Sequence, residues 1–135
     1  MIAKDLADYL QTRGLGNVGT DIFVGELPID DESGNTIDNG IYVVATGGDG
    51  QDSYLDTMYE QFDIWSVHPL YESAYNALEA VRNVLSRATN YDLTNYYVYF
   101  SHDISGIMDL DRTRDGLKLY KMTIRLIYNK KNVIS

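Results

Sequence analysis

The residues with the greatest chemical reach in this chain are its two histidines and its carboxylates. His102 is followed by Asp103, a pair that could polarise a base. No Gly-x-Ser-x-Gly nucleophile motif accompanies it. His68 precedes Pro69 and reads as a loop residue. Neither histidine has a second ligand at helical or strand spacing, so the pattern does not call for a metal. Asp109 and Asp111 fit a solvated loop better than acid/base work, which needs a carboxylate shifted by burial. The chain has no cysteine, which removes disulfides, thiolate metal sites and cysteine nucleophiles.

Two loops invite ligand readings and fail them. Asp30, Asp31, Glu32 and Asp38 surround Ser33-Gly34-Asn35, as in a calcium loop. An EF-hand needs glycine at position six and glutamate at twelve. Counted from Asp30, those places hold Asn35 and Ile41, so an exposed acidic hairpin turn is the better reading. Gly47-Gly48-Asp49-Gly50 resembles a phosphate loop but has no lysine and no following helix start. The twelve tyrosines could stack nucleobases, yet stacking platforms come with a basic groove. They read as core and interface material. The expectation is a protein with no cofactor, no metal and no catalysis.

The charge points the same way. Residues 1–66 carry thirteen acidic and two basic side chains, a balance of −11, and residues 67–135 carry seven and nine, a balance of +2. An acidic front half argues against gripping a phosphate backbone. It reads either as a solubilising surface or as one that repels DNA or meets a basic partner. At 135 residues the chain reads as one domain, 1–135, able to bury roughly two thirds of its unfolded surface. No signal peptide is visible, and no apolar run approaches the roughly 18 residues of a membrane helix. A soluble, cytosolic chain is expected.

The elements follow from periodicity. A first helix is predicted from Ile2 to Thr12, with Gly14 as its C-cap glycine. Asp21 to Pro28 holds a short strand, Ile41 to Thr46 an apolar one, and residues 58–67 a third. Gly47 to Asp56 reads as a loop between them. Its Tyr54 and Leu55, with Met58, are more apolar than a solvent loop needs and suggest a contact surface or packing back on the core. Pro69 opens a second helix, with Tyr71, Ala74, Tyr75, Leu78, Val81, Leu85 and Ala88 as its buried stripe. Glu72, Asn76, Glu79, Arg82, Asn83 and Ser86 fall on the wet face, and Arg87 suits the helix C-terminal end. Two further strands follow Asn90, around Tyr96 to Phe100 and Tyr120 to Tyr128. His102 to Gly116 extends them as a projecting hairpin, whose Ile107, Met108 and Leu110 are further candidate contacts.

Assembled in this order, the residues resemble a family of small virion proteins. An N-terminal helix ends near Gly14 and Asp21-Ile22-Phe23-Val24-Gly25-Glu26-Leu27-Pro28 follows. An apolar strand then ends in Thr46-Gly47-Gly48, and a strand of the Tyr59 to Trp65 kind leads into a helix from about Leu70. This is similar to the tail terminator proteins of long-tailed bacteriophages. The resemblance implies an α+β fold, a mostly antiparallel sheet of about four to five strands with two helices packed on it. It also implies a ring, a hexamer, that caps the tail tube at the head-proximal end of the virion after assembly in the host cytoplasm. Its partners would be copies of itself, the major tail-tube protein and a head-completion protein, with DNA passing through unbound. Asp30, Asp31, Glu32, Asp49, Asp52 and Asp56 are then expected to face the lumen. The rival readings are another neck component, a small ligand-binding or hydrolytic domain using His102 and Asp103, and a single-stranded nucleic-acid binder.

Overall fold

The computed structural model describes residues 2–25, 39–51, 57–112 and 116–131. The first helix, α1 (Ile2–Thr12), buries Ile2, Ala3, Leu6, Ala7 and Leu10 along one stripe. Lys4 and Asp8 pair across one turn at 2.6 Å on its wet side. Its end is a Schellman motif. Gly14 donates to Gln11 O at 2.9 Å and Leu15 to Leu10 O at 3.1 Å, with Gly14 at φ +83. Glycine is needed there because a side chain is strained in that left-handed conformation.

Strand β1 (Ile22–Val24) pairs in parallel with β2 (Gly40–Gln51). β3 (Thr57–His68) returns antiparallel to β2. Helix α2 (Tyr71–Leu85) follows, then β4 (Ala88–Asp92), β5 (Tyr96–Asp103), β6 (Met108–Arg112) and β7 (Lys118–Lys130). The sheet runs β1-β2-β3-β7-β5-β4, and β6 also pairs with β7. β7 is the centre. β3 covers one of its edges from 118 to 129, while β6 and β5 divide the other. The α+β class is as expected, with seven strands in place of four to five.

Alternation decides which face holds the core. Along β7, Tyr120, Met122, Ile124, Leu126 and Tyr128 are buried and their neighbours half-buried. Phe62 and Ile64 of β3 and Ile41 and Val43 of β2 join them against α1 and α2. On the opposite face, Tyr42 and Val67 are buried among Phe23, Trp65, Leu117 and Leu119. Lys121 Nζ lies 5.5 Å from the Trp65 ring centre there, and Arg125 lies 5.2 Å from that of Tyr59.

α1 does more than cover the core. It packs on β1 and β2 at one edge of the sheet. It also reaches the opposite edge, where the Tyr9 ring stacks on Tyr91 at 4.8 Å. Asn95, in the β4–β5 turn, donates both its backbone N–H and its Nδ2 to Asp5 Oδ2, each at 3.0 Å. The sheet therefore curls far enough for one helix to clip both ends.

Five expectations need correction. The 47–56 segment is strand, not loop, as far as Gln51, because Gly50 and Gln51 pair with Tyr59 and Met58 across two register shifts that absorb the extra residues. Ala88 belongs to β4 and not to the helix stripe, since Arg87 turns left-handed at φ +56 and ends the helix before it. Arg87 therefore lies outside α2. Tyr71 and Tyr75 are exposed, at 58% and 40%. Of the wet face, Glu72, Asn76 and Asn83 are exposed as expected, while Glu79, Arg82 and Ser86 are half-buried.

Candidate functional site

The His102–Asp103 end of β5 meets the C-terminal end of α2 and forms a cleft of about 570 Å³ with Arg82, Ser86, Arg87 and Phe100. Asp103 is fully engaged. Ser86 Oγ donates to its Oδ1 at 2.6 Å, and Arg82 Nε lies 3.3 Å from its Oδ2. The Ser86 hydroxyl, with the nearby Arg82 charge, holds the Asp103 carboxyl below the usual carboxylate range. The His102 ring stacks on Phe100 at 5.0 Å, and its Nδ1 is buried with no hydrogen-bond partner. In a Ser-His-Asp arrangement a carboxylate on that nitrogen orients the histidine base. Here the carboxylate is bound to serine and arginine, so Asp103 forms a structural joint between α2 and β5.

His68 is also structural, because its Nδ1 accepts from Leu70 N at 3.2 Å where the chain enters α2. Among the described residues no group of three histidines or carboxylates is placed to hold a metal ion. The remaining buried polar groups tie elements together. Tyr91 Oη donates to Ser101 Oγ at 2.8 Å, and Ser101 Oγ donates to Leu85 O at 2.7 Å. Burial pushes the Tyr91 phenol up to about 12. Tyr128 Oη donates to Glu60 at 3.0 Å, and burial raises that phenol further.

The candidate contact residues are scattered by the fold. Met58 lies at the start of β3, opposite Tyr128, and packs half-buried on the core. Ile107 does the same just before β6. Met108 is 38% exposed and pairs with Lys121, while Leu110 is half-buried in β6. Tyr54 and Leu55 lie outside the described residues. So do Asp30, Asp31, Glu32, Asp52 and Asp56, and of Asp49 only the backbone, in β2, is described.

Two surface features were not anticipated. Leu70, Tyr71 and Tyr75 stand exposed together at the N-terminal end of α2. On that helix's other flank is a hollow of about 410 Å³ between α2, the turn after α1 and the start of β2. The helical spacing that assigned both tyrosines to the buried stripe could not reveal this, because the breadth of the stripe depends on what packs beside it.

The sequence matches the bacteriophage tail terminator protein family over residues 9–130. A chain from the virion of a native gene transfer agent particle has the same fold, with a TM-score of 0.63 and 16% identity over 92% of each chain. No curated protein sequence matches significantly. The match across nearly its whole length makes this chain a member of the bacteriophage tail terminator family, a structural component of a phage virion and not an enzyme.

Proposed function

We propose that the protein closes the head-proximal end of the tail tube as a ring of identical copies, a hexamer. The ring ends tube polymerisation and presents its far face to a head-completion protein. The observation that carries this reading is the family match over residues 9–130. The likeness to a chain of a gene transfer agent virion supports a place in a virion particle. Capping and joining are binding events, so a joint between α2 and β5 in place of a catalytic pair is in keeping with them.

DNA must pass such a ring without being held. The balance of −11 over residues 1–66 serves that need by repulsion. In this reading Asp30, Asp31, Glu32, Asp49, Asp52 and Asp56 face the lumen, and Tyr54, Leu55, Met58, Ile107, Met108 and Leu110 contribute to contacts with neighbouring proteins. The domain is the whole chain, 1–135. Electron microscopy of tails assembled without the protein tests the proposal. Tails of uncontrolled length that fail to join heads are expected. Tails of normal length would refute the capping role, and binding to a head protein without binding to the tube protein would favour another neck component.

A further inference from the structure

A knob and a hole flank the N-terminal half of α2. The knob is Leu70, Tyr71 and Tyr75, at 64%, 58% and 40% exposure. Tyr75 does not swing freely, because Tyr120 meets it edge-on at 5.6 Å and Lys118 Nζ lies 5.1 Å from the Tyr120 ring centre. Large apolar side chains exposed in a group mark a contact surface.

The hole is the 410 Å³ hollow. Gly14, Gly16, Gly40 and Ala77 give it thin walls. Two of those glycines admit no side chain. A Cβ on Gly16 would lie 2.8 Å from Asp21 Cβ, and one on Gly40 would lie 2.4 Å from Asp21 O. Asp21 and Asn39 also line it and can accept a hydrogen bond from a phenol.

Their placement is set by the helix. With 3.6 residues per turn, Tyr71 and Tyr75 lie about 70° to one side of the stripe formed by Ala74, Leu78, Val81 and Leu85, and Ser73 and Ala77 lie about 90° to the other. A knob and a hole on opposite flanks of one helix cannot meet within one molecule. Between copies they form a heterologous contact, which propagates head to tail and closes a ring when the rotation between copies divides a full turn.

We infer that the Tyr71–Tyr75 knob of one copy seats in the α2–β2 hollow of the next. The occupant is thus a second copy of this chain, and the inference rests on the ring reading above. The small walls suit an aromatic ring, and the Asp21 carboxylate suits its hydroxyl. An aromatic side chain buries roughly 150–250 Å². Half-exposed, the knob supplies on the order of 300 Å², well below the roughly 800 Å² per partner of a stable interface. Copies therefore meet weakly in dilute solution and hold together when gathered on the tube end.

The absence of cysteine makes the test direct. Two differently tagged copies, one Tyr71→Cys and one Ser73→Cys, are produced together during particle assembly. Purified particles are then treated with a short bis-maleimide. A mixed dimer, absent when either variant is present alone, is expected. A Tyr71→Cys homodimer, a cross-link to another virion protein, or no mixed dimer in particles that carry both copies overturns the inference while leaving the ring intact. Immunogold labelling that finds wild-type protein away from the head end of the tail overturns the ring itself. As a second measurement, Tyr71→Ser/Tyr75→Ser should cut incorporation at least fivefold with an unchanged melting temperature. Unchanged incorporation counts against the contact.

Discussion

Asp5 is the side chain whose removal should reveal how the curled sheet is closed. It is 5% exposed, in the first turn of α1, and its Oδ2 takes two hydrogen bonds from Asn95, ninety residues away. Hydrogen bonds to a charged acceptor contribute about 1.5–3 kcal/mol each. Asn95 is exposed, so water replaces part of what Asp5→Ala removes, and the lower end of that range applies. The first-turn carboxylate adds about 0.3–1 kcal/mol against the helix dipole. The expected loss is therefore about 3–4 kcal/mol, or a fall in Tm of roughly 9–16 °C for a chain of this size. Urea unfolding followed by far-UV circular dichroism measures it. Asp8→Ala is the internal control, because the Lys4–Asp8 pair is solvent-exposed and should contribute less than about 0.5 kcal/mol. If Asp5→Ala costs no more than Asp8→Ala, α1 does not clip the two edges of the sheet.

Further outcomes follow from single contacts. Gly40→Ala should destabilise by about 2 kcal/mol or more, because the new Cβ would press on Asp21 O at a strained positive φ, and amide exchange should show β1 released first. Asp103, held below the usual carboxylate range by Ser86, contributes stability that is present above the unfolded pKa of about 3.9 and lost as pH falls through its lower folded value. Asp103→Asn should flatten the acid limb of the stability curve, and an unchanged limb would contradict that assignment. The Tyr91 phenol, pushed up to about 12, gives the opposite sign. Stability should fall as pH rises from the unfolded value of about 10 toward 12, and Tyr91→Phe should lessen that loss, leaving the part due to Tyr128, while costing about 1 kcal/mol at neutral pH.

Much of the fold was legible in the residues. The stripe Ile2, Leu6, Leu10 with Gly14 behind it marks α1 to the residue, because helix and cap are both local. β3 and β7 were also clear, since alternation along a strand reports a half-covered sheet wherever the strand pairs. β4 was hidden. Its Ala88-Thr89-Asn90-Tyr91-Asp92 has little strand propensity, and Asn90 is left-handed, so β5 imposes the strand. The extension of β2 through Gly47-Gly48 was hidden for the same reason, because β3 supplies the pairing.

The site divides along the same line. The missing serine motif, the missing cysteines and the acidic front half depend on residue identity alone, and these features with the order of elements led to the tail terminator family. Only the tertiary structure decided that Asp103 belongs to Ser86 and Arg82 and not to His102, because partners 17 and 21 residues away compete with the neighbour in sequence. It also decided that Tyr71 and Tyr75 stand out while Ala74 and Leu78 turn in. Periodicity fixes the direction of each side chain around a helix axis. What lies in that direction, solvent or core, is set by how α2 rests on a sheet whose two ends α1 draws together.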